Sequence, residues 1–199
     1  MINLYIILSI IFWASSFVGI RAAITDFSPI EIAVLRFIVS SIALLLIIIS
    51  QKTILPKKEH LFRFVQLGFV LFANHITLNY GIRTITAGET TLIVSTSQIF
   101  QVLLAYLFLK ENISGRFLIG LLFCFLGVSI IAFQKSIGVS FNLGVVLVLI
   151  AAVTNAAFFV LQKPLLKKYG PLEIVSYSTW ITTLLLLPFG GGAMKSLSM

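Results

Sequence analysis

The chain has 199 residues, of which 59% are apolar and only 10% charged, and its formal net charge is +8. With a mean hydropathy of +1.13, this composition excludes an ordinary water-soluble domain. The positive charge does not point to nucleic acid, because the 14 Lys and Arg residues sit singly or in small groups between hydrophobic runs, where they report membrane topology.

The apolar runs are about 18 to 23 residues long, enough to cross a hydrocarbon core of about 30 Å at about 1.5 Å per helical residue. A segment in lipid must satisfy its own N–H and C=O groups, so these runs are predicted helices. No period-two alternation suggests a barrel. The predicted spans, in order, are Ile2 to Arg21, Pro29 to Ser50, Phe62 to Ile82, Ala87 to Leu109, Phe117 to Phe133, Leu143 to Leu161 and Pro171 to Phe189. The fold class is therefore all-α integral membrane, a bundle of about seven spans on this reading. The first run lacks a basic leader and continues past any small-residue cleavage site, so it reads as a retained helix. Cys124, the single cysteine, falls within the fifth span and reads as a small packing residue.

Lys52, Lys57, Lys58, Arg63, Lys110, Arg116, Lys163, Lys167 and Lys168 fall on one side of the membrane, and Arg21, Arg83, Lys135 and Lys195 on the other. This bias places the N-terminus in the cytoplasm, with the protein in the inner (plasma) membrane.

An internal repeat appears at an offset of 142 residues. Ser28-Pro29-Ile30-Glu31-Ile32 aligns with Gly170-Pro171-Leu172-Glu173-Ile174, Phe17-Val18 with Phe159-Val160, and Phe27 with Tyr169. Five spans separate the copies, and an odd number of crossings inverts the second. Secondary transporters use this architecture, with a solute site between the repeats near the midplane.

Several motifs resemble the EamA family of the drug/metabolite transporter superfamily. They are Trp13-Ala14-Ser15-Ser16-Phe17, Ser28-Pro29 followed by Leu35-Arg36-Phe37, Asn79-Tyr80-Gly81 running into Thr86-Ala87-Gly88, Leu104 through Glu111, and Gly120 to Gly127-Val128. The resemblance implies a ten-helix bundle of two inverted five-helix repeats that exports or exchanges amino acids, other metabolites or drugs by alternating access. Residues 1–135 would form the first repeat, and residues 136–199 a partial second repeat ending in a polar tail, as in a fragment. Where the family usually carries a proline in its fourth helix, this chain has Ser95-Thr96-Ser97-Gln98, so no proline kink is expected there.

Polar residues within the spans are the candidates for a solute path. Arg36 lies seven residues into the second span, about 10 Å deep at 1.5 Å per residue, where it either snorkels to the interface or serves the solute. Glu89 is a candidate partner for it. Asn74, His75 and Asn79 lie on the third span, where they either hydrogen-bond between helices or line the path, and the His75 imidazole offers proton coupling. On the fourth span, Thr90, Thr91, Ser95, Ser97, Gln98 and Gln101 share a wide polar arc that favours a cavity lining. Trp13 and Asn155 are equivalent under the repeat and lie near the middle of their spans. Glu31 and Glu173 read instead as capping residues, each three positions after an N-cap and two after a proline.

No Walker motif is present, so coupling falls to a proton, another ion or a counter-substrate. No catalytic constellation, metal cluster or cofactor motif is expected, because only His60 and His75 represent histidine and Asp26 is the single aspartate. The expected partners are the bilayer and a small solute. The competing readings are a non-transporting remnant or a half-transporter that pairs with a partner. The charge bias disfavours the dual insertion that an antiparallel pair of identical chains would need.

Overall fold

The computed structural model describes residues 2–23, 27–51, 56–111, 113–134 and 143–190. Its helices are α1 (Ile2–Ala23), α2 (Pro29–Ser50), α3 (Lys58–Ile82), α4 (Ala87–Ser95), α5 (Ser97–Leu109), α6 (Gly115–Gln134), α7 (Leu143–Gln162) and α8 (Pro171–Leu186). Five stretches among the described residues are long and apolar enough to cross a membrane: Pro29–Ser50, Lys58–Ile82, Gly88–Leu109, Leu143–Lys167 and Pro171–Phe189. The helices α1 and α6 occupy the other two expected positions. The predicted tail beyond Gly190 lies outside the described residues, as do Asp26 and Lys135.

Local chemistry explains where the helices begin. The α2 helix starts at Pro29 behind the N-cap Ser28, whose backbone N–H donates to Glu31 Oε2 at 2.7 Å while its Oγ accepts from Glu31 N at 3.3 Å. The α8 helix repeats half of this device, since Gly170 N donates to Glu173 Oε2 at 2.6 Å. Both glutamates thus satisfy backbone donors that helix formation leaves unpaired. The first residue before α3 has no side-chain cap, and the Lys57 N–H donates instead to the Tyr169 hydroxyl at 3.0 Å.

The fourth span does not form one straight helix. It is interrupted at Thr96, although no proline is present. Ser95 Oγ donates to the Thr91 carbonyl at 2.8 Å and Thr96 Oγ1 to the Ile93 carbonyl at 2.6 Å. The backbone meanwhile tightens to i→i−3 bonds at Thr96 and Ile99. Hydroxyls that bond back onto the preceding turn disturb a helix, and here two of them, on Ser95 and Thr96, stand at the interruption.

Three apolar clusters fix the up-and-down course of the chain. At one end, here the upper end, Ile20 of α1, Ile32 of α2, Leu78 and Ile82 of α3, Ile85, Val94 of α4, and Val148 and Ala151 of α7 pack together. At the lower end, Phe64 and Leu67 from the start of α3 meet Leu165, Tyr169, Ile174 and Tyr177 from the α7–α8 junction. A third cluster joins Ala33, Val34 and Phe37 of α2 to Leu186 of α8. The first two clusters each include the end of one helix and the start of the next, and the third joins the start of α2 to the end of α8.

The α3 helix is central, packed against α7, α8 and α2. Its approach to α7 is close because Gly81 lies against Val148 and the Gly144 carbonyl, while Ala151, Ala152 and Ala156 keep the α7 surface flat. Gly68 admits Ile181 of α8 in the same way. Small residues serve this purpose in lipid, where helices associate by van der Waals packing rather than by expulsion of water. The outward faces carry exposed Phe12, Ile49, Phe108 and Leu143, a surface suited to hydrocarbon.

The α2 and α8 helices run antiparallel, with Val34 beside Gly190 and Ser41 beside Thr183. The Ser41 and Thr183 hydroxyls are 2.7 Å apart, and these two residues are separated by the 142-residue offset of the sequence repeat.

Candidate functional site

The upper cluster gathers five helices around one apolar plug. One helical turn further into the bundle, at three or four residues from four of the plug residues, polar side chains follow. Ile32 is followed by Arg36, Leu78 is preceded by Asn74 and His75, Val94 is followed by Ser97 and Gln98, and Ala151 is followed by Thr154 and Asn155. The break at Thr96 falls at this level, between Val94 and Ser97.

Within this layer the groups differ in how far the protein satisfies them. Asn74 is buried and donates from Nδ2 to the Ala151 carbonyl at 2.7 Å and to Thr154 Oγ1 at 3.5 Å. Asn74 therefore ties α3 to α7. His75 meets the Phe37 ring edge-on, with centroids 4.8 Å apart, and lies within electrostatic reach of Arg36. Its Nδ1 is buried and has no hydrogen-bond partner among the described residues. Arg36 is half-buried and no ion pair joins it to any described residue. Asn155 is half-buried, Gln98 is exposed and Gln101 is half-buried, with no hydrogen bond to described protein groups.

The remaining candidates fall elsewhere. Asn79 is fully buried and donates from Nδ2 to the Pro29 carbonyl at 3.1 Å, clamping the top of α3 to the start of α2, while its Oδ1 has no partner among the described residues. Glu89 does not pair with Arg36. Its Oε2 accepts from Thr86 N at 2.6 Å and its own N–H donates to Thr86 Oγ1 at 3.2 Å, so it closes a capping box at the start of α4. Thr91 and Ser95 are exposed and take part in the back-bonded turn ahead of the break. Thr90 and Ser97, on the same arc, are buried. The Trp13 side chain lies outside what the structure describes, although its backbone belongs to α1.

Two groups of polar residues are not singled out by sequence pattern. On α8, Ser176, Ser178, Thr179 and Thr182 are buried, and Thr182 Oγ1 donates both to the Gly68 carbonyl and to the Ser178 carbonyl at 2.9 Å. A dense Ser/Thr run in the last span is the available signal. At the lower end, the buried His60 bridges Lys168 Nζ, 3.1 Å from Nε2, and the Tyr169 hydroxyl, 3.0 Å from Nδ1. The ammonium can only donate, so Nε2 is the acceptor and Nδ1 carries the proton. Sequence order gives no hint of this cluster, since the partners are more than a hundred residues apart.

Two open crevices flank the bundle. One of about 360 Å³ is lined by Ser41, Ile42, Leu45, Trp180, Thr183 and Leu184, and another of about 270 Å³ by Ile99, Leu118, Leu121 and Leu122. Both are almost wholly apolar, and neither includes the polar layer.

Comparison with known proteins agrees with a transport scaffold. Residues 1–133 match the EamA-like transporter family. The chain is 36% identical over 191 residues to the uncharacterized transporter YdfC of Bacillus subtilis, covering 94% of this chain and 62% of the relative. It is 28% identical to a probable terminal-alkyne amino-acid exporter of Streptantibioticus cattleyicolor, covering 92% of this chain and 62% of the relative. It is 26% identical to an S-adenosylmethionine uptake transporter of Rickettsia prowazekii, covering 82% of this chain and 55% of the relative. The chain thus spans about three fifths of the length of these relatives. No solved structure matches it. With its five membrane-length apolar stretches and a family match across its first 133 residues, the chain belongs to the EamA-like transporter family of multi-pass membrane proteins.

Proposed function

We propose that this chain forms most of a secondary transporter that exports or exchanges a small amino-acid-like metabolite across the inner membrane by alternating access. The observation that carries this reading is the apolar plug over the layer containing Arg36, His75, Gln98 and Asn155. Polar groups within a span that the protein leaves unsatisfied are costly in hydrocarbon, and they are retained where a polar solute or water replaces the missing partner. In this reading the plug is the closed gate, the layer is the solute site, and Gln101 continues the path below it. The broken fourth span places irregular backbone beside the site, as in other transporters.

The contact between Ser41 and Thr183 supports the inverted repeat. A residue that touches its own repeat equivalent lies on the pseudo-twofold axis relating the copies. An axis in the membrane plane makes the helices through it antiparallel, as α2 and α8 are. Residues 1–135 and 136–199 are then the first repeat and part of the second. Lys57, Lys58, Arg63, Lys163, Lys167 and Lys168 lie towards the lower end, which supports a cytoplasmic lower end and N-terminus.

Both solutes named for the relatives, an amino acid and S-adenosylmethionine, contain an α-amino carboxylate, which supports the solute class. Coupling would come from a proton, with His75 as its candidate carrier, or from a counter-substrate. The test is counterflow of a mixture of the twenty L-amino acids into proteoliposomes holding the natural gene product. Exchange of at least one amino acid above protein-free liposomes is the expected result, and none above that background would reject the reading.

A further inference from the structure

We propose that Arg36 is the anchor for a carboxylate on the transported solute, so that the site selects anionic or zwitterionic solutes over cationic ones. This rests on the transporter reading above. Apart from Glu31 at its first turn, Arg36 is the only charged residue of α2, the most hydrophobic of the membrane-length helices. It sits seven residues past Pro29, about 10 Å into the span at 1.5 Å per residue. A guanidinium at that depth needs a counter-anion, or a route for its long stem to the interface.

The glutamates do not provide the anion, because all are engaged elsewhere. Glu31, Glu89 and Glu173 cap their own helices, Glu111 pairs with Lys163 at 2.6 Å, and Glu59 lies 3.8 Å from His60 at the lower end. None of them forms an ion pair with Arg36. The groups on the same level are neutral: Asn74 is committed to α7, while His75 Nδ1, Gln98 and Asn155 have no hydrogen bond to described protein groups. Beyond them lies the apolar plug. Among the described residues no carboxylate pairs with Arg36, and the neutral His75 is the polar group within its electrostatic reach.

The acceptor that matches a guanidinium is planar and has two oxygens. A carboxylate can take two parallel N–H bonds from Arg36, a geometry an ammonium cannot reproduce. A wholly cationic solute would meet only the like charge.

The test is counterflow in proteoliposomes, comparing the L-amino acids other than aspartate and glutamate with their α-carboxamides, which keep the side chain and the ammonium and lose the α-carboxylate. The unsubstituted protein is expected to prefer at least one acid over its amide by about tenfold or more, the scale of a charge-assisted bidentate contact. Arg36→Gln is expected to reduce that preference to about twofold or less, chiefly by loss of acid flux, and Arg36→Lys to leave an intermediate preference. Amino-acid exchange with no preference for acid over amide in the unsubstituted protein would overturn the anchor and leave the transporter reading intact. A preference unchanged in both variants would also overturn it, and would assign Arg36 to the interface as a snorkelling residue. Absence of exchange with either mixture would overturn the amino-acid reading and the anchor together. If Arg36→Gln does not purify as folded protein, the Arg36→Lys ratio alone decides between these outcomes.

Discussion

The upper and lower ends of the bundle are both closed by apolar clusters, but they treat polar groups in opposite ways. At the lower end, His60 is buried between Tyr169 and Lys168, and the Tyr169 hydroxyl also accepts the Lys57 N–H. Each group in that cluster answers another. Below the upper plug, Arg36, His75 Nδ1, Gln98 and Asn155 have no hydrogen-bonding counterpart among the described residues. The comparison teaches that polarity within a span does not by itself mark a site. Satisfied polar groups hold helices together, and unsatisfied ones are where a solute can supply the missing bonds.

The largest effect should come from the close approach of α3 to α7. Gly81→Leu would force a side chain into Val148 and the Gly144 carbonyl, costing about 3 kcal/mol. Thermal unfolding of the detergent-purified protein should report this, and a variant of unchanged stability would show that α3 and α7 are not as close as described. His60→Ala should cost about 1–3 kcal/mol by leaving its partners unmatched, while the surviving protein keeps its acid-to-amide preference in counterflow. A selective change in that preference would move the lower cluster from the scaffold to the path.

Asn74→Leu, which removes the bond to the Ala151 carbonyl, should cost about 1 kcal/mol. His75→Phe keeps the ring edge against Phe37 and removes the orphaned nitrogen. Its stability should stay within about 0.5 kcal/mol of the original or rise, because an unsatisfied group is lost, while amino-acid counterflow falls about tenfold if the lost polar group supports one charge-assisted bond to the solute. A large loss of stability with normal flux would reverse the assignment. The smallest effect is expected for Glu89→Gln, since glutamine also closes a capping box. Both unfolding and flux should remain nearly unchanged, and a collapse of flux alone would restore Glu89 to the solute path.

Much of the scaffold is legible in the amino-acid sequence. Hydrophobic length sets the class because lipid leaves a chain segment few alternatives. The Ser28-x-x-Glu31 spacing announces a capping box because that chemistry is local. Thr86-x-x-Glu89 has the same spacing and closes the same kind of box, although Glu89 reads in the sequence as a partner for Arg36. The interruption at Thr96 is not legible in the sequence for a related reason. It comes from hydroxyls bonding back onto carbonyls, which a rule that looks for proline does not see.

By itself, then, the sequence determined the solvent, the helical class and the caps of α2 and α8, all of which follow from forces acting within one segment or from the lipid around it. Only the tertiary structure decided which polar residues are spent on packing and which are left over. Asn74 and His75 are neighbours in the chain, but one faces the Ala151 carbonyl and the other has no partner for its buried nitrogen. That difference arises because a hydrogen bond is a short contact between two groups, and the second group sits on another helix.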